Sequence, residues 1–121
     1  MDIEKIGKAM AKCFCSKVET EAEGYKFEFV DGDYFRSIKV LKDGELICKP
    51  TNVVAANTIL HREKLEKACE EQFSWAILKR WAKEEKASGI DLYELMASKC
   101  VENGIPLDYL SKHSKDILYG V

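Results

Sequence analysis

The sequence has no glycine-rich phosphate loop, no Gly-x-Ser-x-Gly turn and no two close pairs of metal-ligating residues. Each absence removes a chemistry: nucleotide phosphates cradled on a loop, an exposed nucleophilic serine, a closed zinc site. Histidine is scarce, with only His61 and His113 far apart in the chain. No apolar run approaches transmembrane length, and Met1-Asp2-Ile3-Glu4-Lys5 lacks the apolar core of a signal peptide. Neither sign of charge dominates: 19 basic and 21 acidic residues are interspersed, and the net charge is −2. A general nucleic-acid binder would carry a basic excess or stripe. These absences point to a cytoplasmic protein that is not an enzyme, uses no cofactor and has no membrane partner. Ser111 to Ser114 does place Ser, Lys and His together, but adjacency in sequence is not catalytic geometry.

The five cysteines are an odd number, and in a reducing compartment free thiols are the expectation. Cys13 and Cys15 stand close together, while Cys48, Cys69 and Cys100 are isolated, one pair short of a zinc site. With 46% hydrophobic and 33% charged residues in 121, the chain is globular rather than disordered. Its length suits one domain, or one domain with an extension.

The organising stretch is Tyr25 to Lys49, which reads as three antiparallel strands around two tight turns. Asp31-Gly32-Asp33 and Asp43-Gly44 interrupt runs of β-branched and aromatic residues, the strongest short-range hairpin signal. A three-residue first turn pairs Phe29 with Phe35, Glu28 with Arg36 and Phe27 with Ser37. A two-residue second turn pairs Lys42 with Glu45, Leu41 with Leu46 and Val40 with Ile47. Paired and alternate residues share a face. The core face then collects Tyr25, Phe27, Phe29, Phe35, Leu41, Leu46 and Cys48. The opposite face carries an apolar centre of Ile38, Val40 and Ile47 beside Tyr34, rimmed by Lys26, Glu28, Arg36, Lys42, Glu45 and Lys49. Either another part of the fold covers this centre, or it is a docking surface.

Around these strands the chain reads as helical. Ile3, Ile6, Met10, Cys13, Phe14 and Val18 recur at helical spacing over residues 2 to about 17, with Asp2 as cap. That helix is expected to fade through Glu19–Glu23 and stop at Gly24. Pro50 breaks the chain after the strands. From about Thr58 to Ala87 Leu65, Cys69, Phe73, Ile77 and Trp81 follow at four-residue steps, a stripe that winds around the helix. With Trp75, Ala76, Leu78 and Ala82 added, this helix is apolar on more than one side and needs cover on more than one side. The cover is either intramolecular or a homodimer contact through Trp75, Leu78 or Trp81. A further helix spans Asp91 to Asn103, with Leu92, Leu95, Met96, Cys100 and Val101 inward. A short one follows from Leu107 to about Ser111, and the apolar tail 115–121 docks. The expectation is an α+β fold: N-terminal helix, three-stranded antiparallel meander, long central helix and C-terminal helical segments. Residues 1–87 form the core domain, and 88–121 an extension packed on that core or on a second subunit.

The order helix, three strands, helix over residues 2 to about 87 resembles the double-stranded RNA-binding domain in topology. That resemblance implies a basic cluster at the start of the second helix. The matching positions Thr51-Asn52-Val53-Val54-Ala55-Ala56 carry no positive charge. Glu94 to Lys112 resembles a helix-turn-helix, with Cys100 at the small-residue position, Gly104 at the turn and Leu110 inward. Lys99 and His113 fall where apolar residues belong, and Leu107–Lys112 carries little positive charge for a DNA contact.

The reading is therefore a small binding protein acting through protein–protein contacts, with a protein partner and a homodimer expected. Its size and character are those of phage or mobile-element proteins that inhibit a host enzyme or defence system, which is an analogy. Its contact residues are Tyr34, Arg36, Ile38, Val40, Ile47, Trp75, Leu78 and Trp81. The alternative is nucleic-acid binding through Lys26, Arg36, Lys42 and Lys49 on the sheet rim, or through Lys79, Arg80 and Lys83 beside the tryptophans.

Overall fold

In a computed structural model, which describes residues 1–15, 19–31, 36–48 and 61–119, the first amphipathic stretch forms helix α1, Ile3–Cys15. Asp2 caps it, its Oδ1 accepting the Lys5 backbone N–H at 3.1 Å. Ile3, Ile6, Met10, Cys13 and Phe14 are buried and Lys5, Lys8 and Lys12 exposed. The expected periodicity thus faces the way it should.

Rather than a fading helix end, Glu19–Ala22 form strand β1. It turns at Glu23-Gly24 into β2 (Tyr25–Asp31). Both turn residues have positive φ, 51° and 82°, as a two-residue type I′ hairpin requires. Asp43-Gly44 makes the matching turn between β3 (Arg36–Lys42) and β4 (Glu45–Cys48). The sheet therefore has four antiparallel strands in the order β1-β2-β3-β4 rather than three. The Glu-Thr-Glu-Ala sequence of β1 already alternates with period two: Ala22 is buried opposite Tyr25, and Glu19 reaches Lys26 at 3.3 Å on the other face.

The expected β2–β3 register is corrected by an odd number of residues. Phe27 pairs with Val40 and Phe29 with Ile38, where a three-residue turn would set them against Ser37 and Phe35. An odd shift turns every β3 side chain to the opposite face. Ile38 and Val40 thereby join Phe27 in the core, all three at 0% exposure. Full burial of such side chains stabilises by about 1.5–3 kcal/mol each. The expected register would instead put Lys39 on the aromatic face between Ser37 and Leu41, an unpaired charge in the core. The turn expected at Asp31–Asp33 lies mostly outside the described residues. At the second hairpin Lys42 opposes Glu45 and Leu41 opposes Leu46 as expected, and then a bulge sets Cys48 rather than Ile47 opposite Val40.

Helix α2 runs Arg62–Glu84, α3 Gly89–Asn103, α4 Leu107–Lys112 and α5 Ser114–Tyr119. Phe73 of α2 meets Tyr25 and Phe27 edge-on at 5.2 and 6.4 Å, and Phe14 of α1 meets Phe29 at 5.3 Å. So α1 and α2 pack side by side on one sheet face, and α3, α4 and α5 pack against α2 of the same chain. Leu65, Cys69, Phe73, Ile77, Leu78 and Ala82 of α2 are all buried, the two-sided cover its composition demands. Among the described residues no helix is long and apolar enough to cross a membrane.

Helices α1 and α2 approach closely at Gly7. A Cβ there would overlap Cγ of Glu70 and lie 2.9 Å from the carbonyl oxygen of Glu66. A side-chain carbon can swing away, whereas the α2 backbone cannot. Gly7→Ala should therefore lower stability by about 1–3 kcal/mol despite the better helix propensity of alanine. Urea denaturation reads the effect, and a variant more stable than the parent would show that the helices are free to separate.

Candidate functional site

The corrected register removes the apolar sheet patch. Ile38 and Val40 lie in the protein's own core and Ile47 is half-buried against it. Leu78 is likewise fully buried. Trp75 and Trp81 are half-buried and covered within the chain. The Trp75 ring stacks on His113 with centroids 4.9 Å apart and planes 14° from parallel, and Lys79 Nζ lies 5.2 Å from the same ring. Lys99 Nζ sits 5.3 Å from the ring of Trp81. Tyr34 and Lys49 lie outside the described residues, as does the side chain of Arg36.

The proposed basic surfaces are also reorganised. Lys26 pairs with Leu41 while its neighbour Tyr25 pairs with Lys42, so the two lysines stand on opposite faces and form no common rim. Lys26 Nζ lies 3.3 Å from Glu19 and 3.9 Å from Glu28, and Lys42 Nζ covers the Tyr25 ring at 4.4 Å. Arg80 is held by Glu45 at 3.7 Å and Glu84 at 3.4 Å, and Lys83 is exposed. A phosphate would have to compete with carboxylates already in place.

Where α4 and α5 meet α2, polar groups converge. Glu71 accepts from Lys112 Nζ at 2.6 Å and contacts His113 Nε2 at 2.9 Å. Tyr109 donates its hydroxyl proton to Glu70 at 3.3 Å, with Lys67 Nζ 3.5 Å from that buried carboxylate. Burial and the neighbouring Glu70 carboxylate push the Tyr109 hydroxyl up to about 12. Burial raises Glu71, but hydrogen bonds from Lys112 and His113 outweigh it and hold the carboxyl below its ordinary value. The Glu71–His113 pair has acid–base chemistry in principle, yet the nearby Ser111 hydroxyl is bonded to Tyr93 at 3.2 Å rather than to His113. The cluster fastens the C-terminal helices to α2.

Burial pushes the Cys48 thiol up to about 12 and Cys13 to about 11, and raises Cys100, away from the reactive thiolate. Among the described residues no group of three or more His, Cys, Asp or Glu could hold a metal ion. An open cleft of about 750 Å³ between α1 and α2 sets Glu4, Glu63 and Glu66 among Lys8, Lys64 and Lys67, and Glu4 and Lys8 pair at 3.1 Å. Its charges answer one another.

Among the described residues the buried Ser37 hydroxyl and Trp75 indole N–H find no hydrogen-bond partner, and the other unsatisfied groups are exposed apolar side chains. On α3, Leu92, Met96 and Cys100 are buried as expected, but Leu95 and Val101 are turned out, 41% and 70% exposed. Ile90 is 78% exposed. Ile90 and Val101 are eleven residues apart, about three helical turns, so they share a face with half-buried Ala97 between them. Ala97, Ser98, Val101 and Glu102 line a shallow depression of about 380 Å³. The sequence carried this signal: the 92–96–100 stripe that packs inward leaves positions 90, 97 and 101 on another side of the helix.

No protein-family model, curated protein or solved structure matches this chain. The C-terminal attachment has a pH signature. A carboxyl held below its unfolded value of about 4.3 contributes stability above that pH and loses it as pH falls through the folded value. Glu71→Gln should cost about 1–2 kcal/mol near pH 7, since partial exposure screens the pair. The parent–variant difference should vanish in acid below that carboxylate range. Urea denaturation at both pH values checks this, and a difference independent of pH would place the role of Glu71 elsewhere.

Proposed function

We propose that this chain is a non-enzymatic binding module that engages a protein partner through the outward face of α3. The observation that carries this reading is the exposure of Ile90 and Val101, 78% and 70%, on a helix whose inward stripe is already fully used. Exposed apolar side chains aligned on one face of an ordered helix are the usual mark of a protein contact. Of the cationic groups that could meet phosphate, Lys26, Lys42, Lys79 and Arg80 are each engaged by a carboxylate or an aromatic ring while Lys83 is exposed, and the thiols of Cys13, Cys69 and Cys100 are buried. Ile38, Val40 and Leu78 are buried and Ile47, Trp75 and Trp81 half-buried within the chain, which leaves less apolar surface there for a homodimer than on α3. A module of this size without chemistry acts by occupying part of its partner's surface. The inhibitor of a host enzyme or defence system inferred from size is one form of that action.

The test is salt-resistant capture compared across variants. A stoichiometric protein partner should be retained by the parent and by a Leu46→Glu control on the sheet. It should be lost, by at least tenfold in affinity, from the Ile90→Glu/Val101→Glu double variant, with stability unchanged because both side chains are already in water. Capture of nucleic acid that is shed at high salt, or capture indifferent to the α3 substitutions, would overturn the reading.

A further inference from the structure

The charges around the α3 face say what kind of surface it meets. The helix carries Asp91, Glu94 and Glu102, all exposed, and a single cation, Lys99. Lys99 stands nine residues from Ile90, half a rotation around the helix, and is engaged by Glu85 at 3.5 Å and by the ring of Trp81. Glu94, four residues beyond Ile90, is about 40° from the stripe, and Asp91 and Glu102 lie about 100° and 120° around on the same side. The face is therefore an apolar strip about 16 Å long with carboxylates beside it and no cation of α3 among them.

Glu102 also breaks a local rule. The last turn of α3 has no basic residue, so this carboxylate faces the negative end of the helix dipole, an arrangement that costs about 0.3–1 kcal/mol. Departures of this kind concentrate where a surface serves something outside the fold. One cation brought by a partner near Glu102 would relieve the repulsion, and a second could pair with Glu94.

We infer that the partner is a basic amphipathic helix, an apolar stripe flanked by lysine or arginine, laid along Ile90, Ala97 and Val101. The inference rests on the docking reading of α3 and adds the chemistry of the occupant. A second copy of this chain is a poor occupant, because pairing α3 with α3 brings glutamates and an aspartate against their own kind, and like charges across an interface are repulsive. The apolar strip supplies affinity and the carboxylates supply selection and a fast, salt-sensitive approach.

Two designed three-turn-stripe helical peptides test this on the full chain, identical in their leucine stripe but flanked by lysine in one and glutamate in the other. Calorimetry should show the lysine peptide binding at least tenfold more tightly, with amide chemical-shift changes centred on 90–102. Glu94→Lys/Glu102→Lys should reverse the preference, and Val101→Glu should remove binding of both peptides. Equal binding of the two peptides at α3 would overturn the basic partner while leaving the docking reading in place. Self-association lost in Val101→Glu, with neither peptide bound, would overturn it in favour of a second copy. Binding of neither peptide and no self-association would sink both readings.

Discussion

The structure depends on covering a helix that is apolar on more than one side. Helix α2 buries Leu65, Cys69, Phe73, Ile77 and Leu78, and one neighbour cannot shelter them all. The sheet and α1 take one side, where Phe73 meets Tyr25 and Phe27. The three C-terminal helices take the other, tied by Glu71 to Lys112 and His113 and by Tyr109 to Glu70. Once α3 has spent Leu92, Met96 and Cys100 on this task, its other side faces water.

The same constraint explains why surfaces that look available in the sequence are not. Trp75 and Trp81 supply apolar area that the C-terminal segment and its lysine use, and Ile38 and Val40 fill the space beneath Phe27. Lys26 and Arg80, which could meet phosphate, sit within reach of Glu19, Glu45 and Glu84. The α3 face differs because its carboxylates have no cation of α3 on the same side, and that asymmetry gives the surface a direction.

The register of the sheet is decided by parity. Two hairpin registers differing by three residues both pair aromatic or β-branched side chains across β2 and β3, and both set opposite charges side by side, Glu28 with Arg36 or with Lys39. Turn chemistry at residues 31–33 does not separate them. The burial of Ile38 and Val40 instead of Lys39 does, and that preference exists only once α1 and α2 lie on the sheet. Strand β1 is hidden in the sequence for a related reason: Glu-Thr-Glu-Ala also continues a helical stretch, and its period-two pattern acquires meaning only opposite Tyr25 and Phe27.

Interactions spanning a few residues were enough for the α+β class, the succession of N-terminal helix, antiparallel meander and long helix, the Asp2 cap, the Asp43-Gly44 turn, the two-sided character of α2 and the inward 92–96–100 stripe of α3. Caps, turns and periodicity act within one or two turns of chain, so they can be read there. Strand parity, the fourth strand, the exposure of Ile90 and Val101 and the engagement of Lys26, Lys42 and Lys99 needed the folded chain. Each is a competition between distant groups for the same buried space or the same countercharge, and packing alone resolves it.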